Sequence, residues 1–216
     1  MMENKGKKIV IAHSKGGSRK TTTAWHLANG LKQNIYAKGR KVLIVDVDVQ
    51  KTITIVNDIR STTELEYFRV FQPQTVAELL EIFETHKDDI IVVDTGGFDK
   101  DINRVAIEKA DEIIVPLSAT IHDILGLSMF TSILDEIATN IAINVLLVGV
   151  HHKQTNFTDI EEIISDNPRA KLLKSKILSK NANFTTMAKG MSVYNTKDNV
   201  ELCKRYNGVI DELIGH

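Results

Sequence analysis

Ser14-Lys15-Gly16-Gly17-Ser18-Arg19-Lys20-Thr21-Thr22 is the stretch that decides the fold. Before it stands Lys8-Ile9-Val10-Ile11-Ala12-His13, an apolar run that reads as a buried strand. After it, Thr21 to Tyr36 reads as a helix that stops at the turn signal Ala37-Lys38-Gly39. A strand, a glycine-bearing turn and a helix N-terminus in that order form an anion cradle. Glycine lets the backbone come close to oxygen atoms. The helix end presents free N–H groups and the positive end of its dipole. Lys20 supplies a point charge for β and γ phosphates, and the Thr21 hydroxyl suits Mg²⁺. The stretch therefore predicts binding of ATP and Mg²⁺ through Lys15, Gly16, Gly17, Ser18, Arg19, Lys20, Thr21 and Thr22.

The general phosphate-loop pattern, glycine, four residues, then Gly-Lys-Ser/Thr, fails here, because Ser14 and Arg19 hold its two glycine positions. A deviant pattern, Lys-Gly-Gly-x-x-Lys-Thr, fits fully and makes Lys15 an extra lysine. The competing reading is a glycine-containing turn with solvated lysines. The strand before the loop and the acidic strand ends after it argue against that reading.

Working outward, apolar runs alternate with helical spacing. Val42 to Asp46, Ile90 to Asp94, Glu112 to Pro116 and Asn144 to Val150 read as strands, and Lys176 to Leu178 as a short last one. Thr75 to His86 (with Val76, Leu79, Leu80 and Phe83 on one face), Ile102 to Lys109, Ile121 to Ala138, Asp159 to Ser165 and Asn199 to Ile214 read as helices. Strands apolar on both faces that alternate with helices predict an α/β fold. The expected architecture is one P-loop NTPase domain over residues 1–216, with a mostly parallel sheet and helices on both faces. Pro73, Pro116 and Pro168 read as turn positions. Ligands in such sheets bind at the carboxyl ends of the strands, where His13-Ser14-Lys15, Asp46, Asp94 and Pro116-Leu117-Ser118 fall.

Two carboxylate segments complete the chemistry. Asp46-Val47-Asp48-Val49-Gln50 ends one strand and Asp94-Thr95-Gly96-Gly97 another. Mg²⁺ prefers an octahedral oxygen shell and keeps several waters. A threonine hydroxyl with outer aspartates, Thr21, Asp46 and Asp94, suits it. Asp48 is placed to orient or deprotonate a water.

Composition sets the outer bounds. The 216 residues are 43% apolar and 25% charged with net charge −1, so there is no global pull toward nucleic acid or membrane. One cysteine, Cys203, excludes an intrachain disulfide or a cysteine-cluster metal site and fits a reducing compartment. No apolar run has the length of a membrane span, and the basic start, Met1 to Lys8, does not read as a signal peptide.

The quoted motifs resemble those of the ParA/MinD ATPases of the deviant Walker A class. Lys15-Gly16-Gly17-x-x-Lys20-Thr21-Thr22 is similar to that family's phosphate loop. Asp46-Val47-Asp48-Val49-Gln50 is similar to its Asp-x-Asp-Pro-Gln switch with valine for proline, and Val93-Asp94-Thr95-Gly96-Gly97 to its Walker B strand. Ala110-Asp111, Ile114-Val115-Pro116 and Asp123 fit as well. The short chain most resembles the small, ParF-like ParA proteins of plasmids. The resemblance implies a homodimer closed around ATP, with Lys15 reaching the partner's phosphates, Lys20 on the β and γ phosphates, Thr21 on Mg²⁺, Asp48 activating water and Asp46 and Asp94 supporting the metal. Lys15, Lys20 and Asp48 would be the catalytic residues. Pro116 and the segment His151 to Asn156 would lie toward the nucleotide. It further implies a cytoplasmic, nucleoid-associated bacterial ATPase that holds DNA non-specifically. A ParB/ParG-like centromere-binding protein would stimulate hydrolysis. The alternatives are a MinD-like membrane-associated positioning ATPase and an ATP-binding scaffold with impaired hydrolysis. The last arises because Arg19 stands where the family has glycine, a strained placement if that position needs φ > 0.

Charge is unevenly spread. Residues 58–89 hold eight acidic and three basic side chains, whereas 167–197 hold basic ones and no acid. Arg169, Lys171, Lys174, Lys176, Lys180 and Lys189 are therefore the candidate phosphodiester contacts, against the alternative of a solvated charge run. Neighbouring His151 and His152, if on a strand end, would point to opposite sides and make a poor metal pair. Trp25 and His26 read as packing and surface residues. The last helix reads as one packed on the sheet rather than a membrane anchor, so no stable membrane association is expected.

Overall fold

The computed structural model describes residues 6–33, 39–96, 100–118, 120–137 and 141–214. The sheet holds β1 (Lys7–Ile11), β2 (Val42–Asp46), β3 (Val70–Phe71), β4 (Ile90–Asp94), β5 (Glu112–Leu117), β6 (Ile143–Val150), β7 (Ala170–Leu172) and β8 (Ile177–Leu178). The strand order is β3-β2-β4-β1-β5-β6-β7, and β8 pairs with the carboxyl half of β6 beyond β7. Every described pairing is parallel. Ile9, Val10 and Ile11 and residues 90–93 are fully buried, as strands covered on both faces require.

The helices are α1 (Lys20–Gln33), α2 (Thr52–Ser61), α3 (Val76–Thr85), α4 (Asp101–Glu108), α5 (Ile121–Glu136), α6 (Thr158–Ser165), α7 (Ala182–Thr185) and α8 (Val200–Ile214). Right-handed crossovers assign the faces. The connections β1-α1-β2 and β2-α2-β3 run one way across the sheet and those through α3, α4, α5 and α6 run the other. The first pair and the second set therefore lie on opposite faces. The chain passes from β1 to β2 on one side and later to β5 on the other, so the topological switch point falls at the carboxyl end of β1.

Several sequence expectations change. Helix α2 has no counterpart in the sequence reading, because Thr52-Ile53-Thr54-Ile55-Val56 is β-branched and favours strand; burial of Ile53 and Val56 decides for helix. The two- and three-residue strands β3 and β7 are too short for a periodic signal. Leu80 is 40% exposed, off the buried face that Leu79 and Phe83 form. Pro116 marks no turn and sits buried inside β5. It is tolerated because Ile114, two residues earlier, takes the Ala12 N–H toward β1. Pro116 faces that same side after β1 has ended, so the sheet loses no donor.

His26 is not a surface residue. Helix α1 is covered by the sheet on one side and by α8 and α7 on the other, leaving Trp25 and His26 fully buried. The Trp25 indole donates to the Met191 carbonyl (2.8 Å). His26 Nδ1 accepts from the Val193 amide (3.4 Å), which leaves Nε2–H to donate to the Asn183 carbonyl (2.9 Å). Helix α8 packs on α1 and β8 through Leu202, Tyr206, Val209, Ile210 and Leu213, rather than lying on the sheet alone. Met1–Lys5, Asn34 to Lys38, Gly97 and Ala138 lie outside the described residues.

Candidate nucleotide site

The phosphate loop joins β1 to α1 at the switch point. Gly17 has φ 76 and Arg19 φ 64, so the loop does demand a left-handed backbone where Arg19 stands. For a residue with a β-carbon that conformation costs roughly 1–2 kcal/mol. The arginine side chain is half-buried and runs to the carboxyl ends of β5 and β6. Its Nη1 lies 3.5 Å from Ser118 Oγ, and its guanidinium covers Gly149.

A cleft of about 410 Å³ opens at the loop, lined by Gly16 to Thr22, Asp48, Gln50, Gly96 and Phe184. Lys20 is nearly buried, and its ammonium donates to the Lys15 carbonyl (3.1 Å). Burial lowers its pKa, opposed by the charges of Asp94 and Asp48. Asp94 ends β4 in register with Asp46 at the end of β2. Burial drives the Asp94 pKa well up. The Thr21 hydroxyl and the Lys20 charge oppose that rise, and the Asp46 and Asp48 charges add to it. Among the described residues neither Asp94 oxygen accepts a well-formed hydrogen bond. A wholly buried carboxylate so poorly satisfied calls for a cation or its waters, and Thr21 stands beside it. Thr21 and Asp94 thus fit Mg²⁺. Asp46 has donors of its own: Oδ2 accepts from the Thr54 amide (3.1 Å) and hydroxyl (2.8 Å), and Oδ1 from the Asp48 amide (3.3 Å). It sets the switch segment and the start of α2. Its pKa is raised, chiefly by burial.

Asp48 approaches β4 where Gly96 leaves room; a β-carbon there would stand 3.2 Å from Asp48 Oδ1. Lys15 does not line the cleft. Its ammonium is held by Asp123 at 2.7 Å, and Asp123 also accepts from the Thr120 hydroxyl (2.9 Å). Burial works against the Asp123 charge, yet the bonds from Lys15 and Thr120 outweigh it and leave its pKa lowered.

Other sequence candidates fall elsewhere. Pro116 is beside Leu146 in the sheet and does not line the cleft. The strand β6 ends at Val150, so His151 and His152 leave it as a turn. Their rings stack at 4.4 Å instead of diverging, outside the cleft lining. Phe184, half-exposed at the cleft, gave no sequence signal, since only the packing of α7 brings it there. The six basic residues do not form an unbroken positive face. Arg169 pairs with Asp135 and Lys180 with Glu201, while Glu212 takes the amides of Lys174 and Ser175. All three acids come from other elements, which a local charge count misses.

Residues 6–88 match the AAA_31 family model, described as an AAA domain. None of the curated proteins matches the chain by sequence. Solved structures do match. A variant of Cyanothece McdA in complex with ATP is 19% identical with a TM-score of 0.75, over 97% of this chain and 96% of that one. A plasmid partition protein of Borrelia burgdorferi bound to AMPPNP is 19% identical with a TM-score of 0.70, over 96% and 98%. This is the fold of the ParA/MinD P-loop ATPases. Within that fold, the MinD protein of Pyrococcus horikoshii complexed with Mg-ADP is 16% identical with a TM-score of 0.68, over 97% and 98%. The ParA/MinD fold thus carries both partition proteins and septum-site proteins, and the loop, Asp48 and Asp94 stand here at its switch point.

Proposed function

We propose that the chain is a ParA-type partition ATPase, one domain that binds Mg-ATP at the β1–α1 loop and closes as a homodimer on DNA. The observation that carries this reading is the pairing of a complete phosphate cleft with a second lysine outside it. Lys20 and the loop amides bind the phosphates, Thr21 and Asp94 hold Mg²⁺, and Asp48 at the cleft mouth orients water. Bound Mg²⁺ neutralises charge on the phosphates. Lys15 serves no phosphate of its own cleft and rests on Asp123, which leaves it available to a second copy. Partition is favoured over membrane positioning because α8 spends its apolar face on α1 and β8. Among the described residues no helix is long and apolar enough to cross a membrane. Lys171, Lys174, Lys176 and Lys189, which have no carboxylate ion pair among the described residues, are the stronger DNA contacts of the six. A centromere-binding partner would stimulate hydrolysis.

The test is fluorescence anisotropy of a random-sequence duplex with ATP, ADP or no nucleotide at several salt concentrations. DNA binding that needs ATP and falls steeply with salt is expected. Unchanged binding after neutralising Lys171, Lys174 and Lys176 would remove the assigned surface. Liposome capture with ATP and no DNA binding would favour the membrane role. The scaffold reading rests on the left-handed Arg19. Equal turnover by Arg19→Gly and the native chain would dismiss it.

A further inference from the structure

At the opposite end of β2 from Asp46 lies a second and larger cleft, about 730 Å³, between the end of α1 and the starts of β2 and β3. Its apolar lining is the start of β2 at Val42 and Leu43, and Phe68, which is buried against Trp25 of α1. Its rim is cationic. Among the described residues Lys32, Arg40, Lys41 and Arg69 line it together with one carboxylate, Glu66. Leu43 precedes Ile44, which is in register with Val70, so the lysine and arginine that lead into β2 and β3 stand on adjacent strands.

Lys32 is bound to Glu66 (2.8 Å), but neither Lys41 nor Arg69 has a carboxylate partner among the described residues. The nearby Asp89 is occupied by the His86 ring and the Lys41 amide. Arg69 is held over the Phe71 ring at 4.5 Å. Tyr67 stands in the rim 61% exposed, an aromatic with no core role. Beside this cleft β3 is the end strand, and its outer edge has no strand partner among the described residues.

We propose that this cleft docks an acidic, extended peptide segment of a partner protein, with an apolar side chain on the Val42–Leu43–Phe68 floor and flanking carboxylates on Lys41 and Arg69. An open sheet edge accepts an extended backbone, and Lys41 and Arg69, with no carboxylate partner among the described residues, select acids that flank an apolar residue. A nucleobase fits less well. Among the described residues the lining has no Asn, Gln, Ser or Thr, so a base would meet only the long charged side chains and the Tyr67 ring, and the test below keeps nucleic acid as the opposing outcome.

The test uses the full chain and a fluorescein-labelled Asp-Glu-Phe-Asp-Glu peptide, read by anisotropy. Saturable binding that weakens with salt is expected. Lys41→Glu with Arg69→Glu should lower affinity about tenfold or more, and the peptide with alanine for phenylalanine should bind several-fold more weakly. Glu66→Gln should tighten binding, a gain that misfolding cannot mimic. ATP affinity, measured alongside, should hold in every variant, because β2 separates the two sites by roughly 15 Å. Failure of the native chain to bind would overturn the proposal, as would indifference to the charge reversal. Displacement of the peptide by an oligodeoxythymidine that binds more tightly through Lys41 and Arg69 would reassign the cleft to nucleic acid and overturn it as well.

Discussion

Arg19 and Gly149 are bound to each other's geometry: a β-carbon on Gly149 would lie 1.6 Å from Arg19 Nη1. The loop residue that departs from glycine is thus matched by a glycine at the carboxyl end of β6. Gly149→Ala should displace the guanidinium from Ser118 and destabilise the chain. Gly149 also has φ 72, so alanine is strained there in any background. A thermal-melt cycle with Arg19→Gly separates the two effects. The alanine penalty should shrink by about 1 kcal/mol or more once the arginine is gone; equal penalties in both backgrounds would show that the contact is immaterial.

Lys15 and Lys20 should separate cleanly. Lys20→Ala should abolish binding of a fluorescent ATP analogue, because Arg19, the other cation that lines the cleft, turns its guanidinium to Ser118 and Gly149. Lys15→Ala should leave binding by the monomer nearly intact and prevent ATP-dependent dimerisation in sedimentation velocity. Asp123→Asn removes the charge that retains Lys15. ATP-dependent dimers should then form at lower protein concentration than in the native chain.

Asp48→Ala should lower steady-state ATP turnover by about 10² or more while ATP affinity changes little, the signature of lost water positioning. Asp94 behaves differently. In the proposed site Mg²⁺ competes with a proton for Asp94, whose pKa burial raises. Mg²⁺ affinity, followed by calorimetry in the presence of ATP, should rise with pH, and Asp94→Asn should remove that dependence.

Stability should fall in acid through His26. Burial lowers its pKa to about 4 from 6.5, so the folded state keeps the ring neutral while the unfolded chain takes up a proton below 6.5. The unfolded state binds more protons across that window. Stability is therefore full above pH 6.5 and is lost as pH falls toward 4, by an upper bound of about 3 kcal/mol. His13, also buried with a pKa lowered to about 4, acts in the same window. Urea unfolding of His26→Gln at pH 7 and pH 4.5 should show a smaller pH difference than the native chain, although the variant is less stable at pH 7.

What the sequence determined by itself is the alternation of buried strands with helices, the phosphate loop at Lys15 to Thr22 and the acidic ends at Asp46 and Asp94. These are local signals: an apolar run, a glycine pair before a helix, a carboxylate at a strand end. Tertiary structure decided the rest, because the deciding partners are distant in the chain. Helix α2 forms against its β-branched sequence since the core buries Ile53 and Val56. His26 is interior because α8 returns across α1. Asp46 also holds Thr54 at the start of α2, a contact that only the fold brings about. Phe184 reaches the cleft only through the packing of α7. The basic C-terminal run meets Asp135, Glu201 and Glu212, and the cations of Lys41 and Arg69 meet only where β2 and β3 pair. Even the strain at Arg19 depends on a backbone angle that the loop as a whole imposes, and on a glycine 130 positions away that makes room for its side chain.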